Sequence, residues 1–258
     1  MSSNTLLIHE HESHIKLTLN RSHENNSITS QLLHDLNHAL DTAEKQPNCK
    51  VVILEGSEAF FCSGMDFKEI LQLAKSPTDH EVHQWATLYL STLKRLTTTP
   101  KIILTLVEGK AQGGGVGLVA ASDIVIASEK AQFSLPEMLW GLLPAMITPF
   151  LMRRLGFQKT YALSMTSYTL SSKEALECHL VDELTQDMDQ AVKRRLKHLN
   201  RLEGESIRNL KNYFQSLWKL SPETEQTALS EITRLIRDPL VQQRITNFLE
   251  QKILPWEK

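Results

Sequence analysis

The stretch Val107–Pro144, VEGKAQGGGVGLVAASDIVIASEKAQFSLPEMLWGLLP, carries three consecutive glycines inside an apolar run and, further on, one carboxylate beside a proline. Glycine has the most backbone freedom to lose on folding, so Gly113, Gly114 and Gly115 need a reason to be there. Lys101–Val107, just before the stretch, is a near-continuous apolar run of strand length. Gly113–Ala121 has the length and composition of a short buried helix, and Asp123–Ala127 reads as another strand. Strands that are apolar throughout are buried on both faces, as in parallel sheets.

Working outward, the same alternation continues. Lys50–Gly56 is an apolar strand closed by glycine, Phe67–Ala74 a short helix, and Thr78–Thr99 a longer helix that ends at Pro100. Val82, Trp85, Leu88, Tyr89 and Leu93 fall on one face of that longer helix. Upstream, Ser27–Lys45 has helical apolar spacing, and Leu6–Asn20 contains an alternating run that predicts paired strands. From Met146 onward the strand signal fades, and Thr148–Leu155, Lys159–Met165, Ser172–His179 and the segments after Gln190 read as helices. The expectation is an α/β fold with a helical C-terminal part.

Bulk properties exclude several classes. The 258 residues are 41% hydrophobic and 22% charged, with a formal net charge of −2. That balance provides no electrostatic reason for nucleic acid or an anionic membrane as partner. No apolar run reaches the length of about 18 residues that a membrane helix needs. The polar start, MSSNTLLIHEHESHIKL, lacks the pattern of a signal peptide, so a cytoplasmic location is expected. Cys49, Cys62 and Cys178 have no metal-site spacing and read as thiols. His9, His11 and His14 alternate loosely, but nothing else suggests ligands, and no metal is expected.

The glycine triplet sits where a strand meets a helix. Amides at a helix N-terminus lack an intrahelical acceptor and lie at the positive end of the dipole. Two roles fit: an anion or oxyanion pocket, or tight strand–helix packing. A phosphate-binding P-loop is excluded because no Gly-Lys-Ser/Thr ending follows. Gly115–Ala120 matches a loose dinucleotide pattern, but the expected acid further on is missing. A second strand–helix junction, Ser57–Phe67, also ends in small residues and glycine before Asp66, a good helix cap. Two such junctions could each lend one amide to a shared site.

These segments together resemble the crotonase (enoyl-CoA hydratase/isomerase) superfamily. The resemblance runs over the Phe60–Ile70 loop, Val107–Asp123, Glu129–Phe133, Pro136-Glu137, Gly141–Pro144, Arg153–Gly156 and Ser171–Leu184. It implies a spiral of ββα units over residues 1–195 and a C-terminal helical oligomerisation region over 196–258, assembled as a trimer or a dimer of trimers. It implies a substrate carried as a thioester of coenzyme A or of a carrier-protein phosphopantetheine, and no resident cofactor. By position, the Met65 and Gly114 amides would form the oxyanion hole and Glu137 would be the catalytic acid/base. Gly113, Gly117, Asp66 and Tyr89 are candidates for the substrate pocket, although Asp66 reads better as a cap and Tyr89 better as core.

Hydratases of this family use two glutamates, and the first of those positions here is Gly117. Loss of the first with retention of the second resembles the dehydratases of polyketide β-branching cassettes. Those enzymes remove water from a 3-hydroxy-3-methylglutaryl group on an acyl carrier protein. A Δ3,Δ2-enoyl thioester isomerase, which also works with one carboxylate, is the alternative, and a non-catalytic binding subunit is another. Burial of Glu137 among Leu135, Met138 and Leu139 is expected to raise its pKa. Lys68, Lys94-Arg95 and Arg153-Arg154 are candidate partners for a distal carboxylate, or surface charges.

Overall fold

The computed structural model describes residues 5–57 and 59–257; Met1–Asn4, Glu58 of the second loop and Lys258 lie outside the described residues. The chain opens with the hairpin β1 (Leu6–Glu10) and β2 (His14–Leu19), followed by helix α1 (Ser30–Lys45). Thr29 caps α1 through its hydroxyl, which accepts from the Leu32 amide. A unit of two strands and a helix then recurs. Its first turn is β3 (Val51–Glu55), β4 (Phe60–Cys62) and α2 (Phe67–Ala74), after which the long helix α3 (His80–Thr98) intervenes. The second is β5 (Ile102–Val107), β6 (Lys110–Gln112) and α4 (Gly114–Ala121); the third is β7 (Ile124–Ser128), β8 (Gln132–Ser134) and α5 (Glu137–Trp140).

The longer strands form one sheet and the shorter ones a second. The large sheet runs β1-β2-β3-β5-β7 and ends on β10 (Glu183–Thr185); the small one runs β4-β6-β8 and ends on β9 (Leu170–Ser171). Pairing is parallel except for β1 with β2 and β8 with β9. Each unit therefore steps sideways across both sheets, and the three ββα turns make the spiral that the family resemblance predicts.

The apolar strands are buried on both faces, as their composition requires. Val52, Leu54, Ile103, Val107, Val125 and Ala127 join the main core with α1, α3 and α4. Val51, Ile53, Ile102, Leu104, Leu106 and Ile126 form a second core on the other face. The remaining elements are α6 (Thr148–Leu155), α7 (Phe157–Thr166), α8 (Ser172–Glu177), α9 (Met188–Leu199), α10 (Gly204–Leu217), α11 (Pro222–Ile236) and α12 (Pro239–Gln251). Ala191 of α9 and Ile207 of α10 close the second core. The division expected at 195/196 falls inside α9, and the helices after it pack on the spiral, α11 against α3 and α12 against α2.

Candidate active site

The two strand–helix junctions lie against each other. Met65 bridges Ile28 in parallel: the Ile28 amide donates to Gly64 O at 2.7 Å and the Asp66 amide to Ile28 O at 3.1 Å. Those bonds flank Met65 and leave its own amide without an acceptor among the described residues. Gly64 takes φ +88°, and a methyl group placed on it would sit 3.1 Å from the Gly114 nitrogen. Gly114 is the first residue of α4, so its amide has no intrahelical acceptor, and no other is found among the described residues.

Glu137 faces both junctions. It begins α5, directly after Pro136. Gly113, at φ +50°, lies across from it, and a methyl group there would be 3.1 Å from Glu137 Oε1. The other oxygen, Oε2, is enclosed and has no hydrogen-bond partner. Burial pushes the Glu137 carboxyl up to about 7, against an ordinary value of 4.5. The side chain as a whole is half-buried, because the cleft reaches it, but Oε2 is shielded, and the burial of the carboxyl governs the shift. The enclosure differs from that read in the sequence. Leu135 is buried, but Met138 and Leu139 are each 39% exposed and line neither hollow that opens on Glu137.

Two hollows meet at this point. An outer cleft of about 520 Å³ is lined by Met65, Asp66, Lys68, Gly113, Gly114 and Glu137, and by Phe248, Lys252 and Trp256 from the C-terminal end. An inner cavity of about 40 Å³ shares Met65, Gly114 and Glu137 and continues to Trp85, Tyr89, Ile147 and Ile232. The cleft and the cavity thus join at the two free amides and Glu137.

The other sequence candidates divide. Asp66 edges the cleft, but its carboxylate is committed: it accepts from the Lys68 and Glu69 amides as the α2 cap, from Ser27 Oγ at 2.7 Å and from Arg21 at 2.7 Å. Tyr89 lines the inner cavity and donates its hydroxyl to Gly114 O at 2.6 Å. Gly117 lines neither hollow. A methyl group there would lie 2.3 Å from Ile147 Cγ2 and 2.4 Å from Tyr89 Oη, so those two groups fill the space a glutamate would need. Arg153 and Arg154 are structural, donating to Ala120 O and to Leu180 O and Ser122 O respectively. Lys94 pairs with Glu225, and Arg95 with Asp41 and Glu44. Only Lys68 of those cations edges the cleft, where Glu24 holds it at 2.9 Å. In the sequence Trp85 is one residue of a helix face, and its place in the cavity wall leaves no mark there beyond that spacing.

The enoyl-CoA hydratase/isomerase family profile matches residues 9–258. The chain belongs to that family. Among its relatives, the bacillaene synthase dehydratase PksH of Bacillus subtilis is 35% identical over 241 residues, 93% of this chain and 92% of PksH. The mitochondrial enoyl-CoA hydratase of Pongo abelii is 31% identical over 65% of this chain and 56% of its own. The crystal structure of PksH, described as a polyketide biosynthesis enoyl-CoA hydratase, superposes with a TM-score of 0.86 at 32% identity, covering 95% and 97% of the two chains. An enoyl-CoA hydratase from Bacillus halodurans shares the fold at the same TM-score of 0.86 and 22% identity. This member of the enoyl-CoA hydratase/isomerase family is an enzyme of the hydro-lyase kind. Its departure from the two-glutamate hydratase pattern at Gly117 is thus a filled wall rather than an open hole.

Proposed function

We propose that the protein dehydrates a 3-hydroxy-3-methylglutaryl thioester, delivered on an acyl carrier protein, to the 3-methylglutaconyl thioester. The observation that carries this reading is Glu137: one buried carboxyl with an unpartnered oxygen, beside two free amides, in a chain whose broad relative is a polyketide-synthase dehydratase. In this reading the Met65 and Gly114 amides hold the thioester oxygen. Removing a proton from C2 places negative charge on that oxygen, and each fixed donor is worth roughly 3 kcal/mol to such a charge. Ionised Glu137 takes the C2 proton and becomes neutral. The enolate pair then forms the C2–C3 double bond as the C3–O bond breaks. Glu137 returns its proton to the departing hydroxyl, water leaves, and the carboxylate is regenerated. A carboxyl poised near 7 can both accept and donate a proton at neutral pH.

The exposed apolar residues Leu210, Tyr213, Phe214 and Leu217 on one face of α10 fit the trimeric or hexameric assembly that belongs to this reading. The test is incubation with carrier protein loaded with the hydroxymethylglutaryl group, read by intact-protein mass spectrometry. Dehydration lowers the acyl mass by one water, and Glu137→Gln abolishes that change while leaving the fold intact. An enoyl thioester whose double bond shifts with no change of mass, in a protein that leaves the hydroxy substrate untouched, would establish the single-carboxylate isomerase instead.

A further inference from the structure

The inner cavity contains a donor that the proposed chemistry leaves unused. Trp85 stands on α3 one turn before Tyr89, is 3% exposed, and stacks on the Tyr89 ring with centroids 5.8 Å apart. It lines the cavity that Glu137, Met65 and Gly114 share. Its indole Nε1–H is enclosed and has no acceptor among the described residues. Buried indoles ordinarily find a partner, and a donor left without one carries the full desolvation penalty of that group. Phenylalanine would fill the same wall without the penalty, so a purely hydrocarbon ligand does not account for tryptophan here.

The rest of the wall narrows the ligand. Ile28, Met146, Ile147 and Ile232 are apolar, and among the described residues no cation lines the cavity. The Ala145 and Met146 amides, in the same wall, also donate to no acceptor among the described residues. A volume of about 40 Å³ has room for about three water-sized groups at ~10–15 Å³ each. That suits the end of a short acyl group and rejects a long alkyl chain. Neutral donors also suit the neighbourhood, because a Lys or Arg beside Glu137 would favour its ionised form and weaken it as a base.

We propose that Trp85 Nε1–H is the specificity-determining donor for an oxygen at the far end of a short acyl group, here the distal carboxylate of the substrate. Naming that carboxylate rests on the dehydratase reading above; the donor itself does not. The test is therefore a binding measurement that needs no turnover. Calorimetry compares 3-methylglutaryl-pantetheine with 3-methylbutyryl-pantetheine, thioesters alike but for the terminal carboxylate and unable to lose water. Trp85→Phe keeps an aromatic ring in the wall and removes the donor together with the five-membered ring that bears it. It should weaken the glutaryl compound about tenfold to a hundredfold, as loss of a hydrogen bond to a charged group does, and leave the butyryl compound unchanged. Retained butyryl binding also certifies an intact pocket. Equal weakening of both compounds, or of neither, overturns the proposal and returns Trp85 to a packing role. Selective weakening in a protein that fails to release water from the hydroxymethylglutaryl carrier would uphold the donor and refute the dehydratase reading alone.

Discussion

Gly117→Ala tests whether the acid-free wall is a packed feature of this enzyme. The new methyl group would lie 2.3 Å from Ile147 Cγ2 and 2.4 Å from Tyr89 Oη. Carbon atoms rest at about 3.5–4.0 Å, so the overlap exceeds an ångström. Both neighbours are buried, Ile147 2% and Tyr89 1% exposed, and the Tyr89 hydroxyl is tied to Gly114 O at 2.6 Å. Alanine gains about 1 kcal/mol of helix propensity over glycine. Overpacking a buried site costs about 1–3 kcal/mol, and fixed neighbours put this one at the upper end. The net loss is about 2 kcal/mol, which for a chain of this size lowers the melting temperature by roughly 4–8 °C. Thermal unfolding followed by circular dichroism measures it. Ile147→Ala in the same chain removes the closer contact, so the double variant should lose at least about 1 kcal/mol less than the sum of the single losses. A Gly117→Ala protein that melts at or above the parent, or strict additivity in the pair, refutes the packing argument. The same geometry predicts that Gly117→Glu does not restore a two-glutamate hydratase.

Glu137 couples stability to pH. Its folded value of about 7 exceeds the ordinary 4.5, so between those limits the unfolded chain releases a proton that the folded one keeps. Stability should fall as pH rises through that window, by at most about 3 kcal/mol, and Glu137→Gln should flatten the curve. Because the ionised form is the base, kcat/KM should climb with pH to a plateau above about 7; a profile flat down to the ordinary carboxylate range would sink the assignment. Lys211 pins α10 to the spiral, donating to Lys101 O and to Asp123, each at 2.7 Å, while Asp123 also accepts from the Ile103 amide. Lys211→Met strands that carboxylate and should lower the unfolding free energy by about 3 kcal/mol, read from denaturant midpoints, whereas an unshifted midpoint would show the pin to be dispensable.

The legible parts of the fold were those with a strong local signal. The strands β3, β5 and β7 stood out because both their faces are buried, and α2 was bounded correctly because Asp66 caps it and its apolar spacing is regular. The strands β4, β6, β8 and β10 were not visible residue by residue. Each has three residues, too few to show an alternation, and each is held by neighbours that are distant in sequence. The small sheet reached the expectation only through the family resemblance. Helices after α9 read correctly as helices, but spacing shows that an apolar face exists and not which surface it covers. Ile207 closes the second core, and Phe248 reaches the cleft.

The site was legible in the same uneven way. Gly114, Met65 and Glu137 lie in contiguous motifs, so position alone singles them out as candidates, and the structure sets all three around the same two hollows. The motif also showed that a glutamate was missing at Gly117, but not what had taken its place. The space is filled by Ile147 and by Tyr89 of α3, and Tyr89 and its cavity neighbour Trp85 fit the ordinary rhythm of a buried helix and differ from core residues only in their polar atoms. Those atoms matter because of what they are not. A carboxyl held near 7 depends on surroundings that do not favour its charge, and one cation at position 85, 89 or 117 would pull it back toward the usual carboxylate range. A wall of isoleucine, a neutral indole and a neutral phenol offers hydrogen bonds without that penalty. Ile147 and Tyr89 thus leave no space for a second acid at position 117, and the same uncharged enclosure keeps the pKa of Glu137 raised.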